Sequence, residues 1–159
     1  AHGRTISFDP NLRPALWPDP ALMRTTLNDL AAQADWVLPG LDEGRQLTGQ
    51  QTPEGIAKFY MQRGASHVVV KLGADGAYYL GPHAQGYVSA YPVTRVVDTV
   101  GAGDAFAVGV ISGLLEQLPL ENAVQRAAWM GARAVQVRGD TEGLPTREQL
   151  RAEGFECMA

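Results

Sequence analysis

The stretch D-T-V-G-A-G-D-A-F-A-V-G, residues 98–109, sets two glycines and an acid before small and apolar residues that continue as a helix pattern. The first amides of a helix lack internal partners, and the helix dipole favours an anion there. The backbone N–H groups from Gly101 through Ala102 and Gly103 to Asp104 would therefore form an anion hole. Glycine at 101 and 103 lets the chain turn tightly and approach a ligand closely. Asp104, in the first turn, can direct its carboxylate at the same place. A carboxylate beside an anion hole suits proton abstraction next to a phosphoryl group. The same residues also describe an ordinary turn followed by an acid that complements the dipole. Neither common phosphate motif is present: Phe106 stands where G-x-G-x-x-G needs its third glycine, and no Gly-Lys-Ser/Thr occurs.

Three further segments hold suitable residue types. Asp9-Pro-Asn11-Leu-Arg13-Pro-Ala-Leu-Trp17 combines an acid, an amide and a guanidinium, and arginine is suited to bidentate recognition of carboxylate or phosphate. An Asx-turn with a surface arginine explains it too. In Lys71-Leu-Gly73-Ala-Asp-Gly76 the glycines would permit close backbone contact, although Asp75-Gly76 is equally a plain hairpin turn. Pro39-Gly-Leu-Asp-Glu43 is the third. Ala128, Gly131 and Ala132 make a small-residue face. His2, His67 and His83 lack metal-ligand spacing and read as structural. Gly109 and Gly113 are expected to let their helix pack closely on a sheet, and Trp17, Trp36 and Trp129 to line the core or a pocket wall.

These segments need elements to hold them. Strand patterns at Arg4–Phe8, Asp35–Leu38 and Ser66–Leu72 alternate with helix patterns at Pro20–Ala34, Asp42–Leu47 and Pro53–Gln62. The run S-H-V-V-V-K-L has the character of a strand buried on both faces. Residues 73–93 alternate turn and strand signals, which predicts antiparallel strands at one side of the sheet. Helices are expected at Gly103–Gln117 and Leu120–Val137. A last short helix is opened by Thr146, with Gln149 at capping-box spacing. Strands alternating with helices predict an α/β domain with a largely parallel sheet covered on both faces. In such sheets ligands gather at the C-terminal ends of strands. The loops at 9–13, 39–43 and 73–76 all follow strands, so one shared site is expected.

The chain has 159 residues, of which 45% are apolar, as befits one globular domain. With 13 basic and 17 acidic side chains its net charge is −4, and no basic block offers itself to nucleic acid. Cys157, the single cysteine, permits neither an intramolecular disulfide nor a cysteine metal site, so a cytoplasmic location is the expectation. No signal-peptide core and no membrane-length apolar run is found. The chain begins without Met and runs almost at once into R-T-I-S-F, from which we expect an N-terminal portion to be missing.

The whole run D-T-V-G-A-G-D-A-F-A-V-G resembles the C-terminal signature of the ribokinase-like (PfkB) carbohydrate kinases. The resemblance implies a three-layer α/β/α sandwich, of which residues 1–159 would be the C-terminal nucleotide-binding and catalytic half. It implies that Asp104 is the base that takes the proton from a sugar hydroxyl, and that the 101–103 amides are the anion hole for the transferring phosphoryl group. D-P-N-L-R is similar to the D-x-N-x-R segment of the family's fructokinases and 2-keto-3-deoxygluconate kinases. That similarity assigns Asn11 and Arg13 to substrate and phosphate, with Asp9 nearer the metal. Lys71, Gly73 and Gly76 resemble the nucleotide loop, and Ala128 and Gly131 the wall of the adenine pocket. P-G-L-D-E departs from the family's N-x-x-E pattern, because Gly40 stands at the asparagine position. Only Glu43 carries over, to hold water on Mg²⁺.

D-P-N-L-R-P-A-L-W, P-G-L-D-E-G-R-Q-L-T-G and the late V-Q-V-R-G-D with G-L-P-T look most like 2-keto-3-deoxygluconate kinases, with fructokinases next. The implied reaction is transfer of the γ-phosphoryl group of ATP, with Mg²⁺, to a hydroxyl of a sugar or sugar acid. A homo-oligomer of the complete enzyme is compatible with this. Two other classes stay open: a nucleotide-binding half without catalysis, and an interaction domain that has lost its ligands.

Overall fold

The computed structural model describes residues 3–155. Its sheet has five strands in the order β1 (Ser7–Phe8), β2 (Trp36–Val37), β3 (His67–Lys71), β4 (Ala77–Leu80) and β5 (Gln85–Val88). β1, β2 and β3 are parallel, with Ser7 opposite Trp36, Phe8 opposite Val37 and Val37 opposite Val68. The links at 72–76 and 81–84 are too short for a parallel crossover, so β4 and β5 return antiparallel, as the turn signals predict. The fold is thus α/β with a mixed, mostly parallel sheet. The chain divides into two compact units, Ala1–Leu72 with Tyr78–Gly86, and Gly73–Ala77 with Tyr87–Ala159. Each is described by itself.

In the first unit, α1 (Pro20–Ala31) links β1 to β2, while α2 (Leu41–Thr48) and α3 (Pro53–Met61) link β2 to β3. Local chemistry sets their ends. The Asp19 carboxylate accepts the Leu22 N–H at 2.8 Å, and Pro20 needs no amide partner of its own. Thr52 and Pro53 start α3 in the same way. Gly49, at φ 75°, ends α2 in the left-handed conformation. Val37, Val68 and Val70 form a core with Ile56, Ala57 and Tyr60 of α3. Val68, Val69 and Val70 are all fully buried, which is why the run is continuous rather than alternating. Trp17 packs on the smaller cluster of Met23, Leu27 and Leu47, and Trp36 stands edge-on to His67.

The second unit is built on α4 (Ala102–Leu115) and α5 (Leu120–Ala134), followed by α6 (Arg147–Ala152). Gln117, at φ 62°, breaks the chain out of α4 before its expected end. Gly109 and Gly113 meet α5 rather than a sheet: a Cβ on Gly109 would lie 2.4 Å from the Ala127 Cα, and one on Gly113 2.7 Å from the Ala123 Cβ. Small residues on both helices let the backbones approach, and this corrects the sheet-packing expectation. Arg126 is fully buried; its guanidinium donates to Glu116 Oε2 at 2.6 Å, to Ser112 Oγ at 3.2 Å and to the Phe155 carbonyl. Trp129 is buried and stacks, tilted, on Phe155. Thr146 and Gln149 exchange the expected pair of capping bonds at 2.9 and 3.3 Å. Cys157 and His2 lie outside the described residues.

Candidate active site

Parallel pairing places the C-terminal ends of β1, β2 and β3 side by side, and the first unit gathers its polar residues there. Lys71, the last residue of β3, sets its ammonium 2.5 Å from Asp9 Oδ2 in the loop after β1. The second oxygen, Asp9 Oδ1, is buried without a hydrogen-bond partner. Burial pushes the Asp9 carboxyl above its ordinary value; the Lys71 ammonium opposes this, and the charge of Glu43 adds to it. Glu43 lies in the first turn of α2. Its Oε1 accepts the Leu12 N–H and its Oε2 the Gly40 N–H, each at 2.7 Å. Gly40 has no side chain to reciprocate, so this is half of a capping box. Burial and the Glu43 charge push the Tyr60 hydroxyl well above its ordinary value, and it donates to Asn28 Oδ1 at 3.3 Å.

The loop between these anchors carries the residues expected at the substrate. Asn11 is exposed and sits in the left-handed region at φ 44°, which asparagine tolerates better than most side chains. Arg13 is exposed, with Nη1 donating to the Leu12 carbonyl at 2.9 Å. The structure thus brings together Asp9, Glu43 and Lys71, around a loop that presents Asn11 and Arg13 to solvent. Lys71, expected at a nucleotide, lies against Asp9. Of the two residues expected near a metal, Asp9 has one oxygen on the Lys71 ammonium and the other without a partner, while both Glu43 oxygens accept backbone amides. Among the described residues no group of three or more His, Cys, Asp or Glu side chains gathers to hold a metal.

The second unit holds the glycine-opened helix. Gly101 caps α4 at φ 76°, and a Cβ there would come within 3.1 Å of the Asp140 backbone. The positive φ favours glycine, and the contact leaves little room for a Cβ. The Ala102 N–H is directed at the Thr99 carbonyl at 3.4 Å, and the Ala105 N–H at the Gly101 carbonyl at 2.8 Å. The Gly101, Gly103 and Asp104 amides meet no acceptor among the described residues. Asp98 Oδ1 accepts the Val100 N–H at 3.0 Å and shapes the approach to the helix. Asp104 is exposed, and no described residue bonds its carboxylate. Gly131 of α5 faces the first turn of α4, its Cβ position 3.6 Å from the Ala102 carbonyl and 3.7 Å from the Phe106 Cβ; Ala128, one turn earlier, is buried. Gly73 has open space around it at φ 62°. Gly76 has a structural reason for its identity: at φ 99°, its Cβ would collide with the Val88 carbonyl at 1.9 Å.

Sequence reasoning missed two of these contacts. Glu43 stands at capping-box spacing from Gly40, a signal that it would turn back onto backbone amides. A lysine ending an otherwise buried strand needs an anionic partner, and Asp9 is the acid that ends the neighbouring β1 segment.

The strands, helices and strand-end loops are those of an α/β protein, and comparison with known proteins gives the family. The family model described as pfkB family carbohydrate kinase matches residues 1–147. The chain belongs to this family. A 2-dehydro-3-deoxygluconokinase of Bacillus subtilis (strain 168) is 59% identical over 148 residues, covering 93% of this chain and 46% of the relative. A crystal structure of a PfkB protein from Polaromonas sp. JS666 superposes with a TM-score of 0.83 at 60% identity, over 94% of this chain and 47% of that one. A putative ribokinase II from E. coli, solved in complex with ATP and Mg²⁺, gives a TM-score of 0.84 at 35% identity over 96% and 48%. The chain spans about half the length of these relatives.

Proposed function

We propose that the protein carrying this chain is an ATP-dependent sugar kinase whose acceptor is 2-keto-3-deoxygluconate. The carrying observation is Asp104, an exposed carboxylate without a partner in the first turn of α4, beside two amides without acceptors. A general base must have a free lone pair in reach of the hydroxyl it serves, and an anion hole must have unspent donors. In the proposed step the sugar hydroxyl oxygen attacks the γ-phosphorus. Its proton passes to Asp104, and the bond to the bridging oxygen of ADP breaks. The Gly103 and Asp104 amides take up the negative charge that develops on the phosphoryl oxygens. Mg²⁺ arrives with the nucleotide as part of the substrate. The loop at Gly73 and the small face at Ala128 and Gly131 are assigned to the nucleotide. The sugar-acid assignment rests on the name of the Bacillus subtilis relative and on Arg13 as a carboxylate partner. No helix of the described residues is long and apolar enough to cross a membrane, and the proposed place of action is the cytoplasm.

The test is ADP release by the full-length protein with Mg·ATP and either 2-keto-3-deoxygluconate or fructose. Preference for the sugar acid is expected; preference for fructose overturns the acceptor and leaves the kinase. Because the relatives are about twice as long, the 159-residue chain by itself is expected to show no turnover. Titration of this chain with Mg·ATP then separates a nucleotide-binding half, which saturates, from an interaction domain, which gives no signal.

A further inference from the structure

We infer that Glu43 is a positioning residue: its carboxylate clamps the loop from Asp9 to Arg13 onto the start of α2, and through it fixes where Asn11 and Arg13 point. That Asn11 and Arg13 meet the substrate rests on the function proposed above. The clamp itself rests on contacts within the first unit.

Both Glu43 oxygens are engaged by backbone donors on different segments, Leu12 after β1 and Gly40 after β2, at 2.7 Å each. Hydrogen bonds to an ionised acceptor are stronger than neutral ones, and these two are short. Leu12 lies between Asn11 and Arg13, so the bond fixes the peptide that joins the two. The Asn11 backbone is left-handed at φ 44°, a conformation that asparagine tolerates and that anchored neighbours hold in place. Two anchors hold it here, Lys71 on Asp9 at one end of the loop and Glu43 on Leu12 at the other. Arg13 then returns a bond from Nη1 to the carbonyl of the clamped residue, at 2.9 Å. Gly40 contributes by its lack of a side chain: a Cβ there would lie 3.2 Å from Glu43 Oε2, close enough to press on the carboxylate.

The experiment uses the full-length protein and its Glu43→Gln variant. The substituted amide would offer one acceptor oxygen, and its nitrogen would face an N–H donor, so one of the two bonds must fail. Amide hydrogen exchange without ligands is expected to quicken roughly tenfold or more at Leu12 or Gly40, with Val69 in β3 unchanged. In turnover, KM for the sugar acid is expected to rise roughly tenfold, the half-saturating Mg²⁺ concentration to stay put, and Glu43→Gln combined with Arg13→Ala to cost less than the two effects multiplied. Unchanged exchange at both amides overturns the clamp. A raised Mg²⁺ requirement with unchanged KM overturns the positioning role in favour of a metal role. Should Glu43→Gln not fold, Glu43→Asp gives the same readouts, since its shorter carboxylate keeps the charge and cannot reach both amides. The exchange measurement needs no activity, so a wild-type protein inactive on sugar acids would refute the proposed function while the clamp is still judged.

Discussion

Gly109 of α4 and Ala127 of α5 meet backbone to backbone: a Cβ added to the glycine would lie 2.4 Å from the Ala127 Cα and 2.9 Å from its nitrogen. Neither atom is the end of a flexible side chain, so the helices would have to separate. Gly109→Ala is expected to destabilise the protein by about 1–3 kcal/mol, the usual range for overpacking. Gly131→Ala serves as the control, because its nearest neighbour would be 3.6 Å away, an ordinary contact. Urea unfolding of the two variants should show a lowered midpoint for the first and little change for the second. Equal midpoints would mean that the helix pair adjusts freely.

Gly101 carries two constraints at once, a φ of 76° and the Asp140 backbone 3.1 Å from where a Cβ would sit. Gly101→Ala adds left-handed strain of roughly 1–2 kcal/mol, and the crowding comes on top. Relief by movement of the 99–103 turn would re-aim the Gly103 and Asp104 amides. A loss of phosphoryl-transfer rate larger than the loss of stability is therefore expected. A variant with normal turnover would show that the amides need no fixed aim.

His67 supplies the pH dependence. Burial lowers its pKa below the ordinary 6.5, while its Nδ1 lies 2.9 Å from Ser66 Oγ and its ring meets Trp36 edge-on. The folded state thus favours the neutral ring. Its contribution is complete above pH 6.5 and is lost as pH falls from there through the lowered folded value, because the unfolded chain binds the proton first. Urea midpoints measured from pH 7.5 down to pH 5 should fall more steeply in the wild type than in His67→Gln. Parallel curves would remove His67 as the titrating group.

The parts of the molecule set by local pattern were legible in the sequence. Val68 to Val70 read as a doubly buried strand, Thr146 with Gln149 as a capping box, and Gly101 to Asp104 as the start of a helix; the structure holds each of them. What was not legible depends on partners far apart in the chain. Nothing near Lys71 in sequence reveals that Asp9 will stand beside it, since that follows from the parallel order of β1, β2 and β3. Likewise Gly109 and Gly113 show only that something comes close. That the neighbour is α5 and not the sheet is decided by the turn at 116–119. Glu43 was legible as an acid near a helix start, but its bond to Leu12 crosses from one strand's loop to the next.

Asp104 decides between the two meanings of its helix start. Asp104→Asn keeps the size of the side chain, and the open amides of residues 103 and 104 are untouched because they belong to the backbone. As general base, the residue is then unable to accept the sugar's proton, and the chemical step should slow by roughly 10²–10⁴. ATP affinity should change little, since the anion hole survives. If the carboxylate only complemented the helix dipole, the same substitution would cost at most about 0.3–1 kcal/mol of stability and leave turnover nearly intact. The carboxylate is exposed and unpaired, so no lost structural contact can mimic a loss of rate. Turnover and ATP affinity measured on one folded sample of the full-length variant separate the readings by orders of magnitude, and near-normal turnover would take Asp104 out of the mechanism.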